Sequence, residues 1–164
     1  MSDTPLRAVP TDRIDRVWSP KKTAEEWRPF PNAPPPAEDS KNRLAQVRTQ
    51  IERLEARQNS AIGVKPYDLK LNPKPLHRYS DESREIIDGV VFAFVHDTNP
   101  EIIVLVEAQG KPNTVSWKFL LARHTAAPLH VDLDGKEIWS SDSSQDFFKG
   151  GENPYWAFGR RPKQ

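Results

Sequence analysis

The sequence predicts an α+β protein: a disordered Pro-rich N-terminal tail, one long amphipathic helix, and an antiparallel β-meander of four or five strands. Three observations carry this expectation. Half of the 16 prolines fall within residues 1–40. Residues 38–59 hold no proline or glycine but repeat apolar side chains at helical spacing, and residues 86–140 hold β-branched and aromatic runs of strand length. The 164 residues divide accordingly into a tail (1–37), a helix (38–60), an extended connector (61–80) and a small sheet domain with an aromatic C-terminal segment (81–164).

In the tail, large apolar side chains are too scattered to offset the entropy of ordering them. Thr23-Ala24-Glu25-Glu26 has capping-box spacing, and Pro29 limits that helix to about a turn. Trp18, Trp27 and Phe30 stand in this polar stretch either as anchors for a protein partner or as aromatics folding back on the chain's own sheet. Pro34-Pro35-Pro36 then stiffens the approach to the helix.

Leu44, Val47, Ile51 and Leu54 form the helical stripe, with Asp39 or Ser40 as N-cap and Asn59 with Gly63 marking the end. Two heptads fall short of an independent coiled coil, yet the stripe must face something apolar, and a coiled-coil seam is carried forward as one reading. In the connector Tyr67, Leu69 and Leu71 alternate with polar residues. Pro66 and Pro73 at its two ends restrict that strand to an edge or an extended cover.

Val90–Val95 and Ile102–Val106, joined by His96-Asp97-Thr98-Asn99-Pro100, read as a hairpin whose strands are apolar on both sides, so both faces need a cover. The late aromatics Phe147, Phe148, Tyr155, Trp156 and Phe158, or a second copy of the chain, are the covers considered besides the helix. Asp134-Gly135 predicts a type I′ hairpin with Leu133 facing Lys136, Asp132 facing Glu137, Val131 facing Ile138 and His130 facing Trp139. Ser116–His124 fits a strand or a helix.

Absence of cysteine excludes disulfides and thiolate chemistry. No Gly-rich phosphate loop, nucleophile elbow or zincin motif is present. Met1–Pro10 has neither a basic head nor an apolar stretch, and no run nears the roughly 20 apolar residues of a spanning helix, so a cytoplasmic protein without membrane association is expected. Residues 41–78 carry a net charge of +6 and residues 81–164 a net of −4, which suggests docking of the first on the second, within one chain or between copies.

Two clusters are candidate sites. His130, Asp132 and Glu137 share a strand face, where like charges opposite one another call for a metal ion or for neutralisation by a basic side chain. His96, Asp97 and Glu101 gather at the first hairpin's tip, where turn chemistry alone also accounts for them. Glu107 and Arg123 adjoin apolar strands and could pair across the sheet.

The functional expectation is a non-catalytic interaction or assembly module, acting on another protein or on itself as a homodimer, with no cofactor. One alternative is a small metal-dependent enzyme or ligand-binding protein using His130, Asp132 and Glu137. The other is a nucleic-acid accessory protein acting through residues 41–78, the weaker reading at a pI near 8.0. The stretch from Asp88-Gly89-Val90-Val91-Phe92-Ala93-Phe94-Val95-His96-Asp97-Thr98-Asn99-Pro100-Glu101 to Glu107 resembles a pattern in uncharacterised bacterial proteins, in which a long helix precedes a small sheet domain. That resemblance covers residues 40–140 and implies a bacterial chain; it brings no activity or catalytic residue.

Overall fold

The computed structural model describes residues 26–59, 66–111 and 114–143. The Thr23 capping box, Trp18 and the aromatics from Phe147 to Phe158 lie outside the described residues. Of the described residues, 53% lie in strands and 14% in helix, so the expected α+β fold with a meander of four or five strands is corrected to a mostly β fold. Nine antiparallel strands form one sheet curled into a half-barrel. They are β1 (Arg28–Pro29), β2 (Leu54–Gln58), β3 (Tyr67–Leu71), β4 (His77–Asp81), β5 (Ile86–His96), β6 (Asn99–Gln109), β7 (Ser116–Arg123), β8 (Leu129–Leu133) and β9 (Lys136–Ser141). Their order is β1-β7-β6-β5-β3-β2-β8-β9, with β4 also paired to β5.

The helix α1 (Ser40–Ile51) starts as expected, with Asp39 Oδ1 accepting from the Asn42 N–H at 2.8 Å, but it is only 12 residues long. Leu54, the last residue of the apolar stripe, begins β2 instead. From there Leu54, Ala56 and Gln58 are buried while Glu55 is exposed, a period of two. Good helix formers are overridden because every residue of β2 pairs with β8. Val47 and Ile51 are fully buried in the sheet's core cluster, so the stripe seals this protein's own sheet and the coiled-coil reading is corrected.

The connector is corrected too, since β3 is an interior strand that joins the two halves of the sheet. Its first three residues pair with β2 and its last two with β5. No residue of β3 therefore has to bond along both edges, and the flanking prolines fall outside the paired stretch. This swap of partners is where the sheet turns its corner. Beyond the Pro73–Pro75 loop, β4 takes up the rest of the same edge of β5.

Both hairpins form. β5 and β6 are each 11 residues long, with Asp97 at φ 53° in the turn. At the second turn Asp134 and Gly135 have φ 52° and 77°, the left-handed pair that a type I′ turn needs. A bulge between Val131 and Asp132 shifts the expected register: Asp132 still faces Glu137, but Val131 faces Trp139 and His130 faces Ser140. Ser116–Arg123 is a strand.

One side of the sheet lines the half-barrel. Phe92, Phe94, Val104, Val106, Trp117 and Phe119 are all buried there beneath α1. Phe30, just past β1, closes the same face with its ring centroid 4.3 Å from that of Phe119. β1 is an edge strand, the one place a proline can occupy without costing a ladder bond. Arg28 donates from it to the Ile138 carbonyl on β9, which ties together the two ends of the sheet.

Charge fastens the halves as the composition suggested. Arg43 and Arg78 both bond Asp88, Arg53 bonds Asp134, and Arg57 bonds Asp132 and Glu137. Each pair joins the basic segment to the acidic one within a single chain. No helix among the described residues is long and apolar enough to cross a membrane.

Candidate functional site

Strands β5, β6 and β7 have a second face, away from α1, on which Ala93 is fully buried. By alternation it carries Val91, Val95, Ile103, Leu105, Leu120 and Ala122, all half-buried. Register arranges it in rows across the strands. Ala93, Ile103 and Ala122 form one row, and Val91, Leu105 and Leu120 the next. His77 extends the second row onto β4. Polar residues bound this apolar band, with Glu101 beyond one row and Lys118 beside Glu107 beyond the other. The one helix of more than a turn among the described residues lies on the opposite face, so no helix among the described residues covers the band.

Glu107 marks the border of this face. It is 1% exposed, and its Oε1 accepts a 2.5 Å bond from the Tyr79 hydroxyl, while Oε2 has no partner. Gly89 makes that bond possible. A Cβ there would lie 2.4 Å from the Tyr79 ring, so the missing side chain is the space the ring crosses to reach Glu107. Burial first, and the Glu107 carboxylate second, push the Tyr79 hydroxyl well above its ordinary range, which keeps it a donor. Glu107 and Arg123 do not pair. Glu107 stands opposite Lys118 and Arg123 opposite Ile102, an odd offset that places them on opposite faces of the sheet. Arg123 instead donates to the carbonyls of Thr125, Ala127 and Asp142 and to the Ser141 hydroxyl.

The fold does bring His130, Asp132 and Glu137 together. Glu137 Oε2 lies 3.0 Å from His130 Nδ1, and His130 Nε2 lies 2.8 Å from Asn59 Nδ2. Arg57, arriving on β2, bonds both Asp132 and Glu137 and supplies the neutralising charge that like charges in register require. Among the described residues no group of three or more His, Asp or Glu side chains is disposed to hold a metal ion.

At the other hairpin tip the His96 and Tyr67 rings meet tilted by 30°, with centroids 4.2 Å apart. Burial, then the negative charges of Glu101 and Asp97, raise the Tyr67 hydroxyl above its ordinary value. Trp27 is half-buried, and Phe30 takes the second of its two expected places, inside the chain's own core. Four of the nine basic residues of segment 41–78 are held in ion pairs, which reduces the charge left for phosphates.

Sequence reasoning considered Tyr79, with Tyr67, only as a residue that could stack on nucleic-acid bases, and passed over Gly89, although a glycine inside an apolar strand signals a close approach. No family model, curated protein or solved structure matches the chain.

Proposed function

We propose that this protein is a non-catalytic assembly module whose outer sheet face, the band from Val91 to Ala122, docks on the same face of a second copy. The observation that carries the reading is the two-row apolar band without a helical cover among the described residues, since contiguous apolar patches mark interaction sites.

The second copy is favoured by charge. Strands lie about 4.8 Å apart and rise about 3.3 Å per residue, so two rows about five residues deep across four strands offer roughly 300 Å² per copy. That is below the ~800 Å² per partner of a standard interface and fits a weak self-association. A two-fold axis between the two apolar rows exchanges them, setting Ile103 and Ala122 over Leu105 and Leu120. The same operation brings Lys118 of one copy toward Glu101 of the other. A strongly charged partner finds no complementary field on this band.

Solution mass tests the reading. The expected result is a dimer for the full chain, and a monomer of unchanged secondary structure for Leu105→Glu, which places a charge at the centre of the band. A full-length chain that stays monomeric across the accessible concentration range overturns it.

A further inference from the structure

We propose that the cleft between the start of α1 and β4 binds a phosphate monoester, gripped by the free edges of Arg43 and Arg78. The cleft measures about 340 Å³, within the size range of small-molecule sites. At its base Asp88 accepts three N–H groups, from Arg43 Nε at 2.9 Å, Arg78 Nε at 2.8 Å and Arg78 Nη2 at 2.5 Å. The carbonyls of Ala37 and Glu38 hold Arg43 Nη1, and the Ser40 carbonyl holds Arg78 Nη2. Both guanidinium forks are thus fixed in place before any ligand arrives, which lowers the ordering cost of binding.

These bonds leave Arg43 Nη2 and Arg78 Nη1 without an acceptor among the described residues. Two guanidinium groups against one carboxylate also leave a formal charge of +1. The Ser40 and Ser80 side chains line the same cleft and bring two hydroxyls with no partner among the described residues. Donors from two elements lining one cleft suit a tetrahedral oxyanion with three free oxygens better than a planar carboxylate. Ile87, 42% exposed, supplies an apolar wall beside the cationic edge. An ester group on the phosphate would lie against that wall, so the ligand class is a monoester with an apolar body. The inference does not rest on assembly, because its donors come from α1 and β4 and not from the apolar band.

The test is an amide chemical-shift titration of the full chain with inorganic phosphate and with phenyl phosphate. Saturable shifts are expected at Ser40, Arg78, Ser80 and Ile87, with phenyl phosphate binding several-fold tighter and both weakening as salt rises. Ser80→Glu puts a negative charge at the rim while sparing the three bonds to Asp88. It is expected to weaken binding about tenfold or more at an unchanged melting temperature. Shifts that do not saturate, equal affinity for the two probes, or binding untouched by Ser80→Glu would each overturn the proposal.

Discussion

The inner and outer faces of β5, β6 and β7 start from similar side chains and end in different situations. On the inner face Phe92, Val104 and Phe119 are at most 1% exposed, because α1 and Phe30 close over them. On the outer face Val91, Leu105 and Leu120 are only half-buried, shaded by one another and by Tyr79. One face spends its apolar surface on folding; the other is left without a helical cover among the described residues. The difference arises from the chain crossing one side of the sheet twice, as α1 and as the segment at Phe30.

The largest effect should come from the closed face. Phe92→Ala removes a ring from a sealed core and is expected to cost about 3–5 kcal/mol, read as a fall in unfolding free energy. Leu105→Ala, one strand over on the open face, is expected to cost about 1 kcal/mol in the monomer. Equal losses at the two positions would erase the contrast.

Next comes the Asp88 pin, which holds α1 over the inner face. Asp88→Asn leaves two guanidinium groups without their carboxylate, at about 2–3 kcal/mol once the partial exposure of Arg78 is allowed for. Burial raises the affinity of Asp88 for a proton, but the bonds from Arg78 and Arg43 outweigh it and hold the carboxyl below its usual range. With a folded value below the unfolded one, its contribution is complete above about pH 4 and is lost as pH falls through the folded value. The acid limb of the stability profile should therefore flatten in Asp88→Asn.

Gly89→Ala probes the border between the faces. The added methyl must displace the Tyr79 ring, at about 1–3 kcal/mol, and the Tyr79–Glu107 bond should be lost from the hydroxyl's spectrum. Arg57→Ala should have the smallest effect, about 1 kcal/mol, larger at low salt, because Asp132 and Glu137 then face each other without a cation. An unchanged stability at low salt would show that the cluster needs no neutralisation.

The elements legible in the sequence were those decided by local chemistry. Asp134-Gly135 made its turn, Asp39 its cap, and the apolar runs of β5 and β6 their hairpin. What escaped was decided across the chain. Leu54 satisfies a helical and a strand period alike, and only pairing with β8 selects the strand. The prolines around β3 suggested an edge, because a strand that changes partner halfway leaves no mark in sequence. The same holds for the candidate sites. Facing carboxylates revealed the Asp132–Glu137 cluster, but nothing near them announced that Arg57 would arrive on β2. The outer face was legible as a strand side needing a cover; the Tyr79–Glu107 bond that borders it was not.

The most direct test of the open face is a photo-reactive side chain at position 120, within the apolar band, irradiated in the full-length protein. The account predicts a chain-to-chain adduct whose other end maps to β6 or β7 of the second copy, near Ile103 or Ala122. Absence of any chain-to-chain adduct, or one that maps to the α1 side, would contradict it.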